Sequence, residues 1–182
     1  SLGTAWNENQ FEILKHYTSS LCFIPDTDLA KGSPYGPGFK AVMENGALAI
    51  QKGFNVTVRE LPFGLRELTE EELQEKYEGT IPKDAQREVL VKNDADSYIL
   101  DMDIYRNLKE KYFIVWMAEK LFAQVDSLAE EGQCVSRIAG LLRYVKDQMV
   151  YTRCIEQLGK IHGKTRLWRS AVEQVRNESK KN

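Results

Sequence analysis

The sequence contains few of the residues that hold disulfides or zinc: three cysteines and two histidines in 182 residues. Cys22, Cys134 and Cys154 are far apart and form no C-x-x-C pair. This argues against a disulfide framework and a zinc site, and predicts a reduced, cytoplasmic compartment. His16 and His162 have no spacing suited to a shared metal, so we interpret both as surface or helix residues.

The sequence also lacks any apolar run of about 18 residues and any signal-peptide pattern. We therefore expect neither a membrane span nor secretion. Its formal net charge of −2 gives no global basic field, so a contact with nucleic acid would need a local basic patch. The length and the apolar fraction of 42% suit a globular protein of one domain or one and a half.

The most informative segment is a short apolar strand that leads into two aspartates. Residues 20–24 are predicted to be the strand, and Pro25 marks where its pairing stops. Residues two apart in an extended segment point the same way, so Asp26 and Asp28 would aim two carboxylates at one spot. Such a pair suits Mg²⁺. The alternative is a turn, since Asp also favours turns and helix starts.

Helices and strands alternate around this segment. The spacing predicts a helix over 8–18 with a capping box of Asn7 and Gln10. A second helix from about residue 38 should end at Gly53, and Gly46 on its apolar face suggests a close approach to the sheet. A strand then runs from Phe54 to Leu61. Helices that join strands in this way predict a small parallel sheet.

The region 63–93 is less regular and is interpreted as an insertion. Thr69 and Glu72 form a second capping box, which opens a short acidic helix. Residues 87–92 could be strand or helix. The insertion is followed by a second acidic pair, Asp94 and Asp96, which could equally cap a helix.

The C-terminal half has helical periodicity throughout. One helix begins near Phe113 and is expected to break at Gly132. Further helices are predicted from Val135, from Tyr151 to about Gly163, and from Leu167 into a polar tail. The fold class is therefore α/β, with a small parallel sheet flanked by helices and followed by a C-terminal helical subdomain.

The order of these signals resembles the TOPRIM domain of bacterial DnaG-type DNA primases. That family has a G-T-A turn, a strand ending in Asp-x-Asp, a strand ending in Leu-Pro, and a further Asp-x-Asp before a helix. The helices that follow also resemble the segment after TOPRIM in those primases. The matching segments are Ser1 to Ala5, Ile24 to Ala30, Val56 to Pro62 and Asp94 to Asp96.

The resemblance implies a metal-dependent nucleotidyl transfer. Asp26 and Asp28 would be catalytic and, with Asp94 and Asp96, would hold Mg²⁺ or Mn²⁺. The reaction would be synthesis of an RNA primer on a single-stranded DNA template from nucleoside triphosphates. A replicative helicase would be a further partner.

Several cationic residues could meet nucleic acid or nucleotide phosphates. Lys31 and Lys40 follow the first acidic pair, and Arg143 and Arg153 lie in the helical half. The alternative is a solvated helix surface, because the chain also carries many glutamates. The other cationic residues of this helical half are Arg137, Lys146, Lys164, Arg166 and Arg169.

The sequence also departs from the family pattern. Thr27 replaces the glycine between the first two aspartates, and the family's catalytic glutamate would lie upstream of residue 1. These features predict a fragment of a divergent primase, from a mobile element or a phage, that is inactive alone. The expected domains are a partial TOPRIM domain over 1–102, a helical subdomain over 103–176 and a flexible tail over 177–182.

Two other functions remain open at this point. The chain could belong to another TOPRIM enzyme, nuclease-like or topoisomerase-like. It could also be a non-catalytic module that binds a replication partner, with its aspartates serving only as caps.

Overall fold

The computed structural model describes residues 6–27 and 36–180. The predicted roles of the Gly3-Thr4-Ala5 turn, Asp28 and Lys31 therefore fall outside the described residues. None of the helices in the described ranges combines the length and apolar character needed to cross a membrane.

The chain divides into two compact units that each draw on several segments. Unit 1 consists of Ser1–Phe23, Ala41–Arg59 and Lys109–Asn182, and unit 2 of Ile24–Lys40 and Glu60–Leu108. The predicted domain boundary after residue 102 stays a prediction.

The described residues form helices and short strands in alternation. The strands are β1 (Ser20–Phe23), β2 (Asn55–Arg59), β3 (Gly64–Glu67), β4 (Glu88–Val91) and β5 (Glu110–Tyr112). The helices are α1 (Glu8–Lys15), α2 (Pro37–Gln51), α3 (Glu70–Lys76), α4 (Ala95–Tyr98), α5 (Met102–Asn107), α6 (Phe113–Phe122), α7 (Leu128–Leu142), α8 (Gln148–Ile161) and α9 (Thr165–Glu178).

Unit 1 contains a three-stranded sheet in the order β1-β2-β5. β1 and β2 run parallel, with Leu21 opposite Val56, as the crossover through α2 predicts. β5 was not predicted, and it pairs antiparallel to β2 with Tyr112 opposite Thr57. The α/β class is confirmed, and the sheet is mixed where the sequence predicted parallel strands only.

The core of unit 1 is built around α6. Its first six residues, Phe113–Ala118, are all buried, which is typical of a helix covered on every side. Val56 and Val58 of β2 are buried while Asn55 is exposed, the alternation expected of a strand. Phe11 and Trp168 are fully buried in the same unit.

Two glycines of α2 behave as the sequence predicts. Gly46 lies against the ring of Phe113, and a Cβ atom placed there would be 2.3 Å from Cε2 of that ring. Only glycine fits this contact without movement of the ring. Gly53 follows the end of α2 with a φ of 90°, the left-handed conformation common at helix C-termini.

The predicted break at Gly132 is wrong. α7 begins at Leu128 and continues through Gly132, because the helix start is set earlier, at Ser127. The hydroxyl of Ser127 accepts the N–H of Glu130 at 3.3 Å, and this cap fixes the first turn. A single glycine inside the helix is tolerated. α9 also extends beyond its expected end, to Glu178.

Unit 2 is more regular than the predicted insertion. β3 and β4 form a two-stranded antiparallel sheet with Leu65 opposite Leu90, which settles residues 88–91 as strand. The capping box that opens α3 is confirmed: Thr69 Oγ1 accepts the N–H of Glu72 at 3.2 Å, and the Glu72 carboxylate accepts the N–H of Thr69 at 2.9 Å.

Candidate functional site

Thr27, the central residue of the first acidic motif, pairs closely with Asn93, which precedes the second. The backbone N–H of Thr27 donates to the carbonyl oxygen of Asn93 at 3.1 Å. The Thr27 hydroxyl accepts the N–H of Asn93 at 2.6 Å and donates to the same carbonyl at 3.2 Å. We call these three bonds the Thr27–Asn93 clamp. It joins residues 66 positions apart in sequence.

The clamp brings Asp26 to the start of α4. Oδ1 of Asp26 accepts the backbone N–H of Ala95, the first residue of α4, over a long 3.4 Å. Asp94 occupies the N-cap position of α4, but its own side chain makes no capping hydrogen bond. The carboxylate that contacts the start of this helix is therefore Asp26, which leaves the Asp94 carboxylate available for another role.

Asp94 has one buried carboxylate oxygen. Its side chain is 44% exposed as a whole, but Oδ1 itself is buried. Nζ of Lys92 lies 2.7 Å from this oxygen as an ion-pair partner. The ammonium group of Lys92 therefore offsets the cost of burying this charged oxygen.

A third segment, which follows β2, is also hydrogen-bonded to Asn93. The side-chain amide of Asn93 donates to the carbonyl oxygen of Pro62 at 2.8 Å. Pro62 closes the Leu-Pro pair that follows β2. Asn93 therefore connects this Leu-Pro segment and both acidic motifs.

Not all of the predicted acidic cluster can be placed. Asp28 is outside the described residues, and Asp96 is exposed in the first turn of α4. Within residues 6–27 and 36–180, no group of three or more acidic, cysteine or histidine side chains is arranged to hold a metal ion. The carboxylate oxygens of Asp26 and Asp94 are the ligand type that Mg²⁺ and Mn²⁺ prefer.

The predicted cationic residues differ in their surroundings. Lys40 is exposed in the first part of α2, and Lys31 lies outside the described residues. Arg153 is exposed on α8. Arg143 is half-buried and engaged within unit 1: its guanidinium donates to Ser179 Oγ at 2.5 Å and to the Tyr144 hydroxyl at 2.6 Å.

Sequence reasoning missed the clamp. The sequence pattern marks Thr27 only as a departure from a glycine and assigns no role to Asn93. The available signal was a hydroxyl between the two aspartates and an amide just before the second pair, both able to bond backbone groups locally. No periodicity links residues so far apart, so the pairing itself could not be read from the sequence.

No model of a known protein family matches the chain. No curated protein matches it either. Among solved structures, it is similar to a DNA primase domain from Pseudomonas aeruginosa, with a TM-score of 0.51 and 17% sequence identity. The match covers 94% of this chain and 46% of that one, so the chain spans about half of the matched structure's length. At this identity the likeness shows a shared, primase-like fold.

Proposed function

We propose that the chain is part of the catalytic core of a DNA primase and belongs to the region that synthesises RNA primers on single-stranded DNA. The observation that carries this proposal is the Thr27–Asn93 clamp, which brings Asp26 beside the segment that contains Asp94. The primase-like fold supports it. The order of acidic motifs along the chain, which resembles TOPRIM, supports it further.

In this proposal the carboxylates of Asp26, Asp28, Asp94 and Asp96 bind Mg²⁺ or Mn²⁺. Such a cation, when bound, neutralises charge on the nucleotide phosphates during nucleotidyl transfer. The clamp positions the two acidic motifs, and Lys92 balances the charge of Asp94 until a cation takes its place. Thr27 and Asn93 are therefore positioning residues.

The substrates and partners of the whole protein also belong to the proposal. They are a single-stranded DNA template, nucleoside triphosphates and a replicative helicase. Lys31 and Lys40 lie close to the first acidic motif in sequence and are the cations proposed to meet phosphates. Arg153, which is exposed, is a better candidate for nucleic acid than Arg143, whose guanidinium already has two partners.

The test is a calorimetric titration of Mn²⁺ into the chain and into Asp26→Asn/Asp28→Asn. We expect saturable binding to the wild-type chain and its loss in the variant. The matched control is Asp84→Asn/Asp126→Asn, which removes the same charge from exposed positions and should bind Mn²⁺ like the wild type. Equal binding in all three proteins, or none in the wild type, would contradict the metal site.

A second function is favoured by one specific contact. The bond from Ala95 N–H to Asp26 shows that this carboxylate can serve as a structural cap. If capping is its whole role, the chain is an interaction module of a replication protein. Asp26→Asn would then lower the thermal stability of unit 2 without any change in Mn²⁺ binding, whereas the primase proposal expects both to change.

A further inference from the structure

A cavity of about 560 Å³ opens beside β5, within unit 1. It is lined by residues of β5, α6 and α8, with Lys109 just before β5 and Lys160 in the last turn of α8. Its volume lies in the range of small-molecule sites, about 300–1,000 Å³. None of its lining residues belongs to the acidic site described above.

Both glutamates in the cavity wall already have cationic partners. Glu119 forms an ion pair with Lys111. The carboxylate of Glu110 accepts bonds from Arg59 at 3.1 Å and 2.5 Å. The hydrogen bond from Arg59 is the main reason why the pKa of Glu110 lies below its usual range, so this carboxylate is ionised and paired at neutral pH.

The positive charges of the lysines in the cavity wall are not all paired in this way. The cavity is lined by three lysines and only these two glutamates. Lys111 is paired with Glu119. Within the described ranges, neither Lys109 nor Lys160 has an ion-pair or hydrogen-bond partner for its ammonium group. Two lysines with no ion-pair partner in the described ranges therefore line one cavity, and a bound anion would satisfy both.

The rest of the wall combines two polar side chains, Thr57 and Gln157, with apolar and aromatic ones. The apolar and aromatic ones are Tyr112, Val115 and Ile161, and Val115 is buried. Tyr112 and Ile161, which are both half-buried, offer contact area to the body of a ligand. We propose that this cavity binds a phosphate-bearing small molecule of nucleotide size, with its phosphates on Lys109 and Lys160 and its ring system against the apolar wall.

The experiment is a calorimetric titration of ATP into the full chain in EDTA, which prevents metal-mediated binding. The test variant is Lys109→Gln/Lys160→Gln, and the matched control is Lys83→Gln/Lys180→Gln, which removes equal charge from exposed positions outside the cavity. We expect ATP to bind the wild type and the control equally. The test variant should bind at least about tenfold more weakly, because it has lost two charge-assisted contacts. Circular dichroism checks that all chains are folded.

Two further probes separate the parts of the proposed ligand. Adenosine should bind far more weakly than ATP, since it has no phosphate, and equal binding would overturn the role of the lysines. Inorganic pyrophosphate should also bind more weakly than ATP, and equal binding would overturn the role of the apolar wall. No ATP binding to the wild type, or equal binding to the lysine variant, would overturn the site itself.

The result of the ATP titration is independent of the primase proposal. The Asp26→Asn/Asp28→Asn chain should bind ATP in EDTA like the wild type, because its changes lie outside this cavity. Loss of ATP binding in that chain would overturn the cavity as the binding site. Loss of Mn²⁺ binding there, with ATP binding kept, would leave both proposals standing.

Discussion

The two units of the chain are stabilised in different ways. Unit 1 contains nearly all of the buried apolar side chains, including Trp116, Phe113 and Trp168. In the described part of unit 2, apart from Pro25, the buried apolar side chains are Leu61 and Leu73. Apolar burial is the dominant favourable term in folding. Unit 1 therefore has a conventional core and unit 2 has very little of one.

Unit 2 depends on directed polar contacts instead. The Thr27–Asn93 clamp joins its distant segments, and the side chain of Arg66 binds both carboxylate oxygens of Glu72 at 2.7 Å and 2.6 Å. Such contacts fix geometry well but contribute little net free energy at an exposed surface. The candidate site therefore lies in the unit whose segments are positioned mainly by hydrogen bonds, and where local opening should be easiest.

The largest effect is expected from Gly46→Ala in unit 1. The new Cβ would overlap the ring of Phe113, which is fully buried. We expect a loss of about 1–3 kcal/mol in the free energy of unfolding, typical of overpacking. Urea unfolding followed by tryptophan fluorescence measures it.

The matched control is Gly140→Ala in α7, where nothing lies within 4 Å of the new Cβ. There the substitution should stabilise the chain by about 0.5–1 kcal/mol, since alanine favours a helix over glycine. If the two variants unfold alike, the packing described for α2 against α6 is wrong.

A smaller and more local effect is expected from Thr27→Val in unit 2. Valine keeps the shape of threonine but removes the hydroxyl, so the N–H of Asn93 loses its 2.6 Å partner. We expect a loss of about 0.5–1.5 kcal/mol, the usual net contribution of one hydrogen bond, because this contact is only part-buried. It should appear as faster amide hydrogen exchange in 60–108, with exchange in 109–180 unchanged.

The control for this variant is Thr152→Val. Its hydroxyl donates to the carbonyl of Gln148 one turn earlier in α8, a bond that adds little to helix stability. Exchange that accelerates equally in both units after Thr27→Val would show that they unfold as one. The distinction between a core-stabilised unit and a hydrogen-bonded unit would then fail.

Much of the local structure could be predicted from the sequence. Both capping boxes, the ends of α2 at Gly53 and of α8 near Gly163, and the contact at Gly46 follow from residues close together in the chain. Each depends on short-range geometry that a residue type dictates. The parallel pairing of β1 with β2 follows from the helical crossover between them.

Two other long-range contacts could not be predicted from the sequence. β5 is three residues long and carries no alternation that would mark it, so its place beside β2 depends on tertiary contacts. The Thr27–Asn93 clamp depends on two backbone segments meeting after 66 residues. The error at Gly132 has a different origin: glycine was weighed as a helix breaker, although Ser127 supplied the stronger signal nearby.

The smallest expected effect concerns the Arg66–Glu72 contact of unit 2 and is measured in a pH titration. Several interactions lower the pKa of Glu72 to about 2, and the hydrogen bond from Arg66 is the largest of them. A carboxyl whose pKa is lowered by folding stabilises the folded form above its unfolded pKa of about 4.3. That contribution is lost as the pH falls from about 4.3 towards 2. A carboxyl carbon NMR titration should therefore give a midpoint near 2 for Glu72.

The same titration has a structural readout in the capping box. The N–H of Thr69 donates to the Glu72 carboxylate at 2.9 Å, so its protection against exchange should fall over the same pH range and be absent in Glu72→Gln. Glu75→Gln, on the same helix, should leave that protection unchanged. A Glu72 midpoint near 4.3 would show that Arg66 does not hold the carboxylate in solution. The polar contacts of unit 2 would then specify its geometry less tightly than the structure indicates, which would narrow the contrast with unit 1.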